Sequence, residues 1–245
     1  MKKTILFFIF CCFTFSGYSQ SEEKMSEENV VRGAIVKNNE VIQGFIRKKG
    51  TTYLDEETFD APWSYQNTIS FIPKDVFNEK EKIKNKDFEK YNAKDIEGYV
   101  YYTSPDDSLV FESVKYSDMS AVGTGMIAKK IFMRKISDGK ISLFYHYSAP
   151  LSMGEISAMK QSYIECKEPN LVYQTDEKIR LVELLNVEKE LSGCPQVVER
   201  YKNNEYKGDS DQETDSGFNK FLNKTAYRTD VRLLVIEDYN KVCGE

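Results

Sequence analysis

The chain of 245 residues carries one histidine, His146, in the run Phe144-Tyr145-His146-Tyr147. A lone histidine excludes zinc sites built from several histidines and any helix that presents two of them. To act as the base of a nucleophilic triad it would need a serine on a strained strand-to-helix turn. No Gly-x-Ser-x-Gly elbow is present, and Leu151-Ser152-Met153-Gly154 does not make one. His146 therefore reads as a strand residue beside a turn. Cys166, in Tyr163-Ile164-Glu165-Cys166-Lys167, has none of the neighbours that mark a cysteine peptidase and reads as a buried thiol.

Carboxylates number 39, so some pair always stands near the separation that glycoside hydrolysis requires, and the count alone decides nothing. Asp106-Asp107 and Asp55-Glu56-Glu57 suit turns and loops. Asp209, Asp211, Glu213 and Asp215 alternate through the polar stretch 207–217, as oxygen ligands do in some calcium loops. An EF-hand starting at Asp209 would put Thr214 at the glycine position and Lys220 at the bidentate glutamate, so a solvated loop is the better reading. Gly123-Thr124-Gly125 lacks the lysine and following hydroxyl of a phosphate-cradling loop. No catalytic, cofactor-binding or metal-ligating residue is assigned, and no cofactor is expected.

The elements that would carry these residues are mostly strands. Arg32 to Lys48 has two β-branched runs around Asn38-Asn39, a pair that tolerates the left-handed backbone of a tight hairpin. Lys129 to Tyr147 repeats the pattern around Asp138-Gly139, where a type I′ turn is expected. Thr68 to Ile72, Ile96 to Tyr102 and Leu109 to Tyr116 are further strands, and two more are placed near Tyr163 and Leu171 to Tyr173. Short connections between such strands imply antiparallel pairing.

From about Thr175 the apolar period changes. Ile179, Val182 and Leu185, then Leu184, Val187 and Leu191, recur at three and four residue steps, which predicts a helix. Ser192-Gly193 ends it and Pro195 opens the next. A last helix takes Thr229 or Asp230 as its N-cap and Val231, Val235, Tyr239 and Val242 as its buried stripe.

The beginning of the chain speaks to compartment. Lys2 and Lys3 precede a 12-residue apolar run, residues 4–15, bounded by Ser16, Gly17 and Ser19, the pattern of a secretory signal peptide cleaved before Gln20. Such a run is shorter than the ~20 apolar residues of a membrane span. Cys11 follows Phe10, where lipidation wants a small residue, and Cys12 would leave a very short apolar region. Cleavage would leave 226 of the 245 residues, and 34 basic side chains less the two lysines leaves 32 against 39 acidic, a charge of −7. Nucleic acid is not an expected partner for that balance, because phosphate recognition leans on a basic stripe, and Glu79 to Lys90 interleaves both signs. Cys166, Cys194 and Cys243 remain, and in an oxidising envelope two of them can pair. Cys194 and Cys243 flank the predicted C-terminal helices, while three pairings stay open to the sequence.

Four groups of residues carry a likeness. They are Gly44-Phe45-Ile46; Ile69-Ser70-Phe71-Ile72 leading to Tyr91, Asp95-Ile96 and Gly98-Tyr99; Ile131-Phe132-Met133 with Gly139 to Tyr145; and Cys194-Pro195 with Tyr239-Asn240 and Cys243. In these the chain resembles uncharacterised exported proteins of Gram-negative envelopes. The resemblance covers most of the mature chain, carries over no catalytic residue, and supports a Cys194–Cys243 bridge.

The expected class is α+β: a mainly antiparallel β domain at 31–175, as sheet, sandwich or small barrel, follows a signal peptide at 1–19 and a polar stretch at 20–30. A helical C-terminal segment at 176–245 completes it, with no transmembrane span in the mature chain. The expected role is non-enzymatic binding in the periplasm, at the outer membrane or outside the cell, with an envelope protein, a glycan or an apolar small molecule as partner. The alternative is a hydrolase of glycan or peptide, which requires a cleft holding two carboxylates, one of raised pKa.

Overall fold

The computed structural model describes residues 29–49, 51–54, 57–104, 106–117, 128–150, 156–175, 178–208 and 218–244. The signal segment, Gly123 to Gly125, Leu151 to Gly154 and the alternating acids from Asp209 to Asp215 lie outside the described residues. The strands are β1 (Val30–Lys37), β2 (Glu40–Arg47), β3 (Thr51–Leu54), β4 (Glu57–Asp60), β5 (Thr68–Pro73), β6 (Glu89–Asn92), β7 (Gly98–Tyr102), β8 (Ser108–Tyr116), β9 (Lys129–Ser137), β10 (Ser142–His146), β11 (Asn170–Thr175) and β12 (Lys178–Leu181). The helices are α1 (Lys74–Glu79), α2 (Ile156–Glu165), α3 (Val187–Glu190), α4 (Pro195–Lys202) and α5 (Phe218–Cys243). Ten strands form one antiparallel sheet in the order β12-β11-β10-β9-β8-β7-β1-β2-β5-β6, and β3 pairs with β4 apart from it. The fold is α+β, as expected, with a sheet followed by C-terminal helices.

Local chemistry explains the first hairpin. Asn38 and Asn39 have φ of 55° and 63°, so both central residues sit in the left-handed region of a type I′ turn and close Lys37 against Glu40. The β9–β10 turn departs from that expectation. Only Gly139 has a positive φ, 156°, and the register shifts between Leu143 and Phe144. This turn is shaped from outside: the Asn240 amide donates to the Ile141 carbonyl at 2.7 Å and accepts from its N–H at 2.9 Å. A Cβ on Gly139 would stand 2.6 Å from the same amide, so the position admits glycine on two counts.

Three further expectations are corrected. The helix read from Ile179 onward is strand β12 followed by a 3-10 turn at Val182–Leu184, and helix resumes only at α3. Ile179 and Leu181 also satisfy a period of two, and their packing near Val114 and Met133 selects the strand. The sheet therefore continues past residue 175. Tyr163, expected in a strand, lies in α2, whose Ala158, Met159, Lys160 and Gln161 are strong helix formers. The last helix starts at Phe218 rather than at Thr229 or Asp230. Inside that helix the Thr229 hydroxyl donates back to the Thr225 carbonyl at 3.1 Å, the usual course for a threonine that is not a cap.

Because side chains alternate across strands, the sheet has two lined faces. On one, Ile35, Ile46, Ile69, Phe71, Tyr99 and Phe111 form a core closed by Tyr65 and by Ala93 and Ile96 of the β6–β7 connection. Along the same face, at β10 and β11, Ile141, Leu143 and Tyr173 meet Val235, Ile236 and Tyr239 of α5, with Val187, Leu191 and Val197 from the shorter helices. The helical segment thus shares its core with the sheet. Val242, expected in the buried stripe, is 38% exposed, and the seam runs instead through Ile236 and Cys243. The opposite face is covered by Phe77 of α1 at one end and carries Val114, Met133, Phe144 and Val172 at the other. Cys194 and Cys243 form a disulfide between the start of α4 and the end of α5, so the helical segment is bridged to itself.

Candidate functional site

Between the two cores of the first face, β7, β8 and β9 expose a cleft of about 680 Å³. Its floor follows from strand register. Tyr101 pairs with Leu109, and Phe111 pairs with Tyr99 on one side and Arg134 on the other, so these side chains share one face. Tyr99 and Phe111 stack beneath the floor with ring centroids 4.5 Å apart and planes 8° from parallel. Complete burial pushes the Tyr99 phenol well above its ordinary value, and its hydroxyl donates to the Tyr65 carbonyl at 3.1 Å.

One wall is the 3-10 turn Pro62–Gln66, which Pro62 starts. Its Tyr65 ring meets Tyr101 edge-on at 5.6 Å. The Tyr65 hydroxyl accepts from the Lys49 N–H at 2.7 Å and donates to the Lys49 carbonyl, which ties the turn to the chain leaving β2. The adjacent Gln66 binds the backbone of Tyr147, donating to its carbonyl at 2.6 Å and accepting from its N–H at 2.8 Å. Tyr147 supplies the other wall together with Lys167. A primary amide matches both groups of one peptide unit, so a single side chain fixes the spacing of the two walls.

The charged side chains among the described lining residues have one sign. Lys48, Lys49, Arg134 and Lys167 line the cleft, and no aspartate or glutamate is among its described lining residues. The Arg134 guanidinium lies 5.4 Å from the Tyr145 ring centroid and lines the cleft with Tyr147, near enough to act on its phenol. Burial pushes that phenol up, Arg134 pulls it down, and Glu168 is close enough to push it up slightly. Burial, and then the nearby Lys90 ammonium, push Lys49 below its ordinary value, and its Nζ donates to the Thr68 carbonyl. Burial also raises the Tyr101 phenol, with a hydrogen bond to Tyr65 working the other way.

The residues singled out from sequence lie elsewhere. His146 is buried on the opposite face of β10, its ring 4.6 Å from that of Tyr116. Cys166 is a buried free thiol at the end of α2, its pKa raised by burial. Among the described aspartates, Asp87, Asp95, Asp138 and Asp238 all have carboxyls held below the usual range, each by hydrogen bonds or cations that outweigh burial. The alternating acids fall outside the described residues, and the described chain brings no three metal-ligating side chains together.

Sequence reasoning passed over the cleft. Its one local signal is spacing: Tyr99 with Tyr101, and Tyr145 with Tyr147, stand two apart in strands or their extensions and so point to one side, with Arg134 following the apolar run Ile131-Phe132-Met133. No family model matches the chain, nor does any curated protein or solved structure.

Proposed function

We propose that this is an exported bacterial envelope protein with a non-enzymatic binding role, and that the cleft over β7, β8 and β9 takes its ligand. The observation that carries the reading is a cavity of about 680 Å³ with an aromatic floor and four cationic side chains at its walls and rim. Concave sites of this size, with apolar walls and a few convergent polar groups, are where proteins hold small ligands or single units of larger ones. Export is supported by the signal-like residues 1–19, by the disulfide, which persists in oxidising compartments, and by the likeness to exported envelope proteins. No helix among the described residues is long and apolar enough to cross a membrane. The hydrolase alternative calls for two carboxylates facing a cleft, and the described lining of this one offers cations and phenols.

Native mass spectrometry of the protein purified from its host envelope tests the reading. The expected result is a mass beginning at Gln20, a gain of two hydrogens on reduction, and an associated small molecule that is absent from a Leu109→Trp variant. Retention of residues 1–19 would remove export, and a ligand-free mass would turn the reading toward a partner protein.

A further inference from the structure

The chain twice shows how it satisfies an arginine beside a tyrosine. Arg200 contacts both Asp238 oxygens, at 3.0 and 2.8 Å, while the Tyr206 hydroxyl donates to the same carboxylate at 2.5 Å. Arg180 lies 3.1 Å from Glu190 Oε2, and the Tyr173 hydroxyl donates to that oxygen at 2.8 Å. In both places a carboxylate sits between guanidinium and phenol, accepting from each. Arg134 and Tyr147 are the same pair at the wall of the cleft, but among the described residues no carboxylate bridges them. A guanidinium has five donors, and Arg134, paired across the strands with Tyr145 and lining the cleft with Tyr147, brings them to its wall.

We propose that the ligand of the cleft carries a carboxylate on a ring, with the carboxylate received by Arg134 and Tyr147 and the ring lying against Tyr101 and Tyr65. This rests on the cleft being the ligand site. The planar fork of arginine matches a carboxylate in two parallel bonds. The same fork receives a phosphate, but its second charge calls on a further cation, and the Lys49 Nζ is already engaged by the Thr68 carbonyl. Tyr65 and Tyr101, edge-on to each other at 5.6 Å, offer apolar ring surface with a hydroxyl at its margin, which suits a ring that is apolar on its faces and polar at its edge. Two sources share this chemistry, a uronic-acid unit of an acidic glycan and a free aryl carboxylic acid.

Isothermal titration of the purified protein with trigalacturonate and with 4-hydroxybenzoate, each beside its methyl ester, separates the possibilities. The expected result is that one acid binds and its ester binds about ten- to a hundred-fold more weakly, the range for a charge-assisted contact. Arg134→Gln should weaken the acid by a similar factor and leave the ester unchanged, and Arg134→Lys, which keeps the charge but not the fork, should fall between. Should Arg134→Gln fail to fold, Arg134→Lys and the acid-to-ester ratio of the unaltered protein carry the test. Binding of trigalacturonate alone assigns an acidic glycan, and binding of 4-hydroxybenzoate alone assigns a free acid. Equal binding of acid and ester, abolished by Leu109→Trp, overturns the carboxylate but leaves the cleft as the ligand site. Binding of neither, or binding indifferent to Leu109→Trp, overturns both.

Discussion

Two regions of one sheet face treat the same side chains differently. At the helical end, Arg200 and Tyr206 converge on Asp238, Asn240 holds Ile141, and a disulfide joins α4 to α5. At the cleft, Arg134 and Tyr147 meet among Lys48, Lys49 and Lys167 with no described carboxylate in the lining. The first arrangement completes its ion pairs internally and so serves stability. The second concentrates positive charge over an aromatic floor, which adds little to folding and favours an anion arriving from solution. Stability and binding should therefore respond to mutation in different regions of the molecule.

The largest effect is expected from Cys194→Ser with Cys243→Ser. The bridge spans a sequence separation of 49 residues, so its loss should cost about 4 kcal/mol by the loop-closure relation, seen as a lower urea midpoint. Ligand affinity of the folded protein should be unchanged, since neither cysteine is among the described lining residues of the cleft. Asn240→Ala comes next. It strips both partners from Ile141, which is 1% exposed, and should cost about 2 kcal/mol in thermal unfolding. A loss close to zero would mean that water replaces the amide and that the turn is not pinned.

Asp238→Asn should cost less, about 1–2 kcal/mol, because Arg200 is largely exposed and its contribution is screened. Its signature is in the pH dependence. Burial works to raise the Asp238 carboxyl, but Tyr206 and Arg200 hold it below the ordinary value. A group depressed in the folded state stabilises above its unfolded pKa, about 3.9, and that stability is lost as pH falls through the folded value. Asp238→Asn should accordingly flatten the acid limb of the stability curve and change little at neutral pH beyond the lost hydrogen bonds.

The smallest stability effect is expected from Arg134→Gln, under about 1 kcal/mol, the scale of its contact with the Tyr145 ring. Were its unfolding free energy to fall as far as that of Asp238→Asn, Arg134 would be a structural residue and the contrast between the two regions would collapse.

Much of the sheet was legible because its signals are short in range. Alternation in Leu109 to Tyr116 and the Asn38-Asn39 pair act within a few residues, and both appear as expected in β8 and the β1–β2 turn. Pro195 opens α4 for an equally local reason, a missing N–H where none is needed. One error falls where a single stretch satisfies two periods. Ile179 to Leu185 fits helix and strand alike, and only contact with the far strands chooses between them.

The cleft was illegible for a different reason. Gln66 and Tyr147 are 81 residues apart, and Tyr65 and Lys49 are 16 apart, so no window of sequence contains the walls together. By itself the sequence determined the β-rich class, the first hairpin, the helical end and the cysteines suited to cross-link it, since propensity, turn chemistry and alternation are properties of neighbouring residues. Only the tertiary structure decided that β12 is a strand, that the C-terminal helices complete the core of the sheet, and that Arg134 stands beside Tyr147 over an aromatic floor. Those outcomes depend on which faces meet, and that is settled by burial across distant segments rather than by any local preference.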